Sequence, residues 1–184
     1  YWRGSRIGTY CNDVQIGFNH ALTRLKCHAR MTGYPTGTDI KVTQITVRDA
    51  ATKGVLEVTG VSNNLTTAQW TPNYSIKDPI SMTTTNGLVS GLSLTSNYQS
   101  VLVSEKSDML VIPQSVTHIE VDITAEIDGV SKTFTSKLSG TQNWAMNKVF
   151  TYQLTLTWEG ITVTAVVDDW TPATVNTIFD GQYY

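Results

Sequence analysis

The side chains of this 184-residue chain best suited to chemistry are three histidines, two cysteines and an adjacent aspartate pair. Their spacing argues against most of the chemistry they could do. His20 and His28 lie eight residues apart in an alternating segment, about 26 Å along a strand rising ~3.3 Å per residue, too far to chelate one ion. No H-E-x-x-H pair occurs, and neither a G-x-S-x-G elbow nor a papain-like cysteine context stands beside His20, His28 or His118, so no activated nucleophile can be nominated. Hydrolysis of a glycosidic bond needs two carboxyl groups flanking it. Asp168 and Asp169 are neighbours on a predicted strand and should point to opposite faces. Glycine-rich phosphate loops and a D-x-D-x-D-G calcium loop are also missing. The expectation is a chain with no catalytic residues, no cofactor and no metal.

Cys11 and Cys27 form neither a C-x-x-C motif nor a zinc-ligand set. A bridge between them stays open, but Cys27 falls on an inward strand position, where a free thiol acts as a small hydrophobe.

From Asn19 to Met31 the chain puts Ala21, Leu25, Cys27, Ala29 and Met31 on one face and His20, Arg24, Lys26, His28 and Arg30 on the other. This positive row reads as a solvated strand face or as an anion or acidic-glycan site. A third reading pairs it with Glu120, Asp122 and Glu126, if their strand lies alongside, since opposite charges across strands contribute about 0.2–1 kcal/mol each. Trp70, Trp144, Trp158 and Trp170, with Tyr74 and Tyr98, are mostly expected to be core or loop anchors. Trp70 and Trp144 stand in loop-like stretches and are the candidates for an exposed, sugar-stacking aromatic platform.

The elements that must position these groups are strands. Residues 117–127 alternate strictly, with Ile119, Val121, Ile123, Ala125 and Ile127 on one face. This is the mark of an antiparallel strand buried on one side. Asp128-Gly129 supplies a tight turn, and residues 131–138 return. A second hairpin spans 149–167, where Phe150, Tyr152, Leu154, Leu156 and Trp158 precede Glu159-Gly160, and Ile161, Val163, Ala165 and Val167 share a face beyond it. Earlier strands are expected at 15–31, 40–49, 54–61, 88–94 and 100–112, with a parity slip between Val42 and Ile45 that predicts a bulge. Residues 63–81, with Pro72 and Pro79, read as a long connection between sheets. Seven or more strands point to an antiparallel two-sheet β-sandwich.

Composition agrees. There are 29 threonines, residues suited to pleated surfaces, while charged residues make up only 15%. A net charge of −2 offers no field for a phosphate backbone, so nucleic acid is not an expected partner. No apolar run reaches the ~18 residues that mark a candidate membrane-spanning helix.

Four stretches in order resemble the fimbrillin family of Bacteroidetes surface pili: Phe18 to Leu25 (FNHALTRL), Met109 to Gln114 (MLVIPQ), Asn147 to Leu156 (NKVFTYQLTL), and Ile161-Thr162-Val163 through Asp168-Asp169-Trp170. Asn147 stands where that family usually has glycine. The resemblance implies a transthyretin-like sandwich, a cell-surface or outer-membrane location, export as a lipoprotein precursor with a lipid anchor as the sole membrane contact, and assembly into a fimbrium by strand exchange. Its partners would be other pilus subunits and a host or bacterial surface protein or glycan. Residues 1–184 then form one domain, the carboxy-terminal part of a longer two-domain protein. Ile178, Phe179, Tyr183 and Tyr184 are the candidate subunit-contact strand. The expected role is a structural or adhesive pilus subunit and not an enzyme, with a surface glycan-binding module as the alternative.

Overall fold

The computed structural model describes residues 20–61, 64–103, 108–117, 119–137 and 142–170. Among them there is no helix, and thirteen strands follow one another. They are β1 (Thr23–Met31), β2 (Ile40–Arg48), β3 (Gly54–Val61), β4 (Asn64–Pro72), β5 (Ile80–Thr83), β6 (Gln99–Ser100), β7 (Met109–Val111), β8 (Gln114–Val116), β9 (Glu120–Ile127), β10 (Val130–Lys137), β11 (Gln142–Trp144), β12 (Lys148–Leu156) and β13 (Ile161–Asp169).

Two sheets make the sandwich. One runs β13-β12-β1-β6, with β7 also pairing with β1; the other runs β10-β9-β2-β5. Leu25, Cys27 and Ala29 of β1 meet Ile40, Ile45 and Val47 of β2, Ile123 and Ala125 of β9, and Tyr152, Leu154 and Leu156 of β12 in one buried core. Alternation causes this arrangement, because each strand sends every second side chain to the same face. Among the described residues all pairings are antiparallel except that of β1 with β12, which runs parallel from Arg24 opposite Val149 to Met31 opposite Leu156. Parallel neighbours need a crossover, and here nearly the whole domain, including the second sheet, serves as that crossover.

Local chemistry sets the details. Asp128 and Gly129 hold φ angles of 48° and 82° between β9 and β10, the paired positive values a two-residue hairpin turn requires. The predicted slip in β2 is a bulge: the register with β9 shifts between Val42 and Gln44, and the Thr43 hydroxyl donates to the Thr124 carbonyl at 3.2 Å.

The expected cross-strand charge ladder does not form, because β1 and β9 belong to different sheets. Arg48, opposite Glu120 on β2, takes that role, at 2.9 Å from Glu120 and 2.8 Å from Asp122, while Lys137 reaches Glu120 at 2.9 Å. Residues 64–72, read as part of a connection, form β4 and pair with β3 as a ribbon outside both main sheets. Its base needs glycine, since a Cβ on Gly54 would stand 2.8 Å from the Thr71 carbonyl oxygen.

Candidate functional site

The β12–β13 hairpin ends the first sheet, and β13 has no second partner strand among the described residues. Its register decides which side chains should be core. Ile161, Val163, Ala165 and Val167 stand opposite Leu156, Leu154, Tyr152 and Phe150, all of which are buried. Ile161 and Val163 pack against the core. Ala165 and Val167 share their parity, yet both are exposed, Val167 at 51%.

The facing edge of the other sheet repeats the pattern. On β10, Val130, Lys132, Phe134 and Ser136 share the inward parity, because they stand opposite Ile127, Ala125, Ile123 and Val121. Of these only Phe134 is buried; Val130 is 69% exposed, and the Lys132 ammonium lies 4.7 Å from the Phe134 ring centroid. Along this flank, side chains of core parity on both edge strands stay uncovered. Edge strands are normally blunted by lysine, proline or a bulge. From Ile161 to Val167 β13 carries none of these, and its first charges are Asp168 and Asp169.

The lower end of β13 is fixed by residues of the resembling stretches. Asn147 holds a left-handed φ of 59°, a conformation asparagine tolerates when glycine is absent. Its side-chain oxygen accepts from the His20 amide at 3.3 Å, and its carbonyl accepts from the Trp170 amide at 3.0 Å. The His20 ring then stacks on Trp170, centroids 3.5 Å apart and planes within 9°. Gln114 is buried at the start of β8 and ties the β2–β3 connection to the end of β7: its amide donates to the Ala51 and Ile112 carbonyls at 2.9 and 3.0 Å, and its oxygen accepts from the Ala51 amide at 2.8 Å.

The candidates read from sequence fare unevenly. Ile178, Phe179, Tyr183 and Tyr184 lie outside the described residues. Trp144 cannot belong to an exposed platform: it is 1% exposed, and its indole N–H donates to the Tyr152 hydroxyl at 2.8 Å. Trp70 is half-buried on the ribbon, where its N–H donates to the Ala21 carbonyl at 2.6 Å and its ring lines an open groove of about 560 Å³ with Leu22, Ile80 and Leu110. Asp169 pairs with Lys148, and Asp168 is exposed. Among the described residues the exposed indole is Trp158, which alternation assigned to the core face; the chain leaves the strand at Leu156, two residues too early.

Cys27 is a free, buried thiol, and burial pushes its pKa up to about 12. Thiolate is the reactive form. Native protein at pH 8 is therefore expected to leave Cys27 unalkylated by iodoacetamide, with full modification once urea unfolds the chain. Mass mapping of the peptide carrying Cys27 checks this, and rapid native labelling would contradict the burial.

Residues 3–170 match the model of a family described as fimbrillin-like. The chain belongs to that family. No curated protein is a significant match. Among solved structures, this fimbrillin-like chain is similar to a fimbrial protein from Bacteroides vulgatus (18% identity, TM-score 0.47, covering 83% of this chain and 55% of that one). It is also similar to a candidate cell adhesion protein from Parabacteroides distasonis (12% identity, TM-score 0.51, covering 84% and 53%). The fimbrillin-like chain thus spans about half the length of these structures.

Proposed function

We propose that this fimbrillin-like chain is a structural subunit of a cell-surface pilus, joined to neighbouring subunits by β-strand exchange. The observation that carries this reading is the β13 flank. An edge strand without charge, proline or bulge from Ile161 to Val167 stands beside exposed valines of core parity. An added strand would supply backbone partners along the edge and cover Val167 and Val130 with its alternate side chains. The donated strand in this reading comes from residues 174–184, with Ile178, Phe179, Tyr183 and Tyr184 as its apolar contacts. The reading also includes what the family resemblance implies: a transthyretin-like sandwich, the carboxy-terminal part of a two-domain lipoprotein precursor, displayed at the outer membrane and acting without catalysis.

Size-exclusion chromatography with light scattering on the complete mature protein tests it. Ladders are expected from intact protein, whereas deletion of residues 174–184 and the separate Val167→Lys variant should both give folded monomers. Ladders that survive both changes, or intact protein that stays monomeric, would refute exchange at this flank.

A further inference from the structure

We infer that residues 14–18 of this chain dock into the apolar groove at the base of the β3–β4 ribbon and close it as a strap. This goes beyond assembly and rests on different residues. The groove encloses about 560 Å³, and its lining includes Leu22, Trp70, Ile80, Leu110, Val111 and Ile112. Leu110 is 55% exposed, and Leu22, Trp70 and Ile80 are half-buried. So much uncovered hydrocarbon in one concavity marks a surface that another apolar group covers. A polar ligand finds little to hold it there, since Lys53 is the charged member of the lining. One wall is fixed to the chain just before β1, where the Trp70 indole N–H donates to the Ala21 carbonyl at 2.6 Å.

The occupant follows from the parity of the chain that enters β1. Leu25, Cys27 and Ala29 are buried in the core, so the odd positions of β1 face inward and its even positions, Lys26, His28 and Arg30, face out. Leu110 stands opposite Arg24 and faces out as well, between the buried Met109 and Val111. Leu22 is the next even position, and it lines the groove with Leu110. Upstream, Val14, Ile16 and Phe18 continue the even set and alternate with Asp13, Gln15 and Gly17. Such alternation is the pattern of a strand with one covered face. Its parity is opposite to that of the β1 core, so a straight extension of β1 would not bury these side chains there. The backbone bends at Ala21 and Leu22, and the apolar ground beside that bend is the groove.

Reach, tether and charge agree. Phe18 is four residues from Leu22, at most about 14 Å of chain. A covalently attached segment meets the groove at high effective concentration and loses no translational freedom on docking, which favours it over the same segment of a second copy. Removal of three apolar side chains and the groove wall from water drives the contact. Asp13, next to Val14, brings a negative charge to the groove that Lys53 lines, and Lys53 forms no ion pair among the described residues. Trp70 belongs to β4, Ile80 to β5 and Leu110 to β7, so the docked strap ties the ribbon to both sheets of the sandwich.

The test is NMR on the full 184-residue chain. Nuclear Overhauser contacts are expected from the Trp70 indole and the Leu110 methyls to Ile16 and Phe18. In a mixture of labelled and unlabelled chains these contacts should stay within one molecule; contacts between chains would overturn the assignment in favour of a second copy. Ile16→Asp/Phe18→Asp should expel the strap and raise the fluorescence of the apolar dye ANS severalfold, because that dye reports exposed hydrophobic surface. The amide spectrum of β9 and β12 should stay unchanged in that variant. Gln15→Asp, on the polar side of the alternation, should leave dye binding where it was. The contacts are read on the unaltered chain, so they decide the matter even where the double variant does not fold. Their absence, or a dye response as large for Gln15→Asp as for the double variant, would overturn the strap.

Discussion

Trp144→Ala is expected to lower the stability of the domain by about 3–5 kcal/mol, the cost of removing a fully buried large aromatic. Two separate losses produce it. The indole belongs to the core together with Tyr152 and Leu25, so truncation leaves a cavity that close-packed neighbours fill only in part. It also strips the Tyr152 hydroxyl of its donor at 2.8 Å, and an orphaned buried polar group costs about 1–3 kcal/mol. That phenol is only 2% exposed, and burial raises its pKa above its ordinary value. Trp144→Phe retains most of the volume and should recover more than half of the loss. Urea unfolding of both variants and of Tyr152→Phe decides the matter. A loss below about 1 kcal/mol for Trp144→Ala would mean that the indole is not part of the cooperative core.

Trp144 also shows where reading a sequence stops working. It stands three residues after a Gly-Thr pair and ends a three-residue strand, β11, whose only partner among the described residues is the equally short β8. Three residues are too few for alternation to register, so a core anchor resembled a loop aromatic. The β9–β10 and β12–β13 hairpins were legible because β9, β12 and β13 each repeat their alternation at least four times and a turn signal separates each pair, while the return strand at 131–138 offers only Phe134 and Leu138 as apolar contacts. The bulge at Thr43 was legible for the same reason: a slip in parity is visible only against a regular background. Pairing between distant strands is another kind of information. Nothing in the alternation of β1 or β9 says that they lie in separate sheets, and the charge ladder expected between them failed on that point alone. On β4, threonines and Pro72 concealed a strand whose Ala68 and Trp70 lie opposite Val58 and Leu56 on the ribbon's apolar face. The candidate flank was half legible. Core parity for Ala165 and Val167 could be read directly, but their exposure depends on which strand is missing beside them.

Arg24→Ala should destabilise the fold by about 3–5 kcal/mol, the range for removing one member of a buried ion pair. The side chains of Arg24 and Asp108 are only 10% and 5% exposed, unlike the Lys148 pair with Asp169 at the sheet edge, where an exposed contact is worth about 0–1 kcal/mol. Removing the guanidinium leaves the Asp108 carboxylate buried beside Cys27, whose acidity it already suppresses. The same arginine lies 5.5 Å from the Trp170 ring centroid, which stacks in turn on His20. It therefore links β1 and the segment before β7 to the end of β13. Much of the expected cost is the buried carboxylate's loss of this partner and not the attraction itself, so the double variant Arg24→Met/Asp108→Leu should be more stable than the sum of the two single changes. A double-mutant cycle in urea measures this coupling. Strict additivity would show that the two side chains act independently, and a coupling above about 1 kcal/mol would identify the pair as the electrostatic clasp at that end of the sandwich.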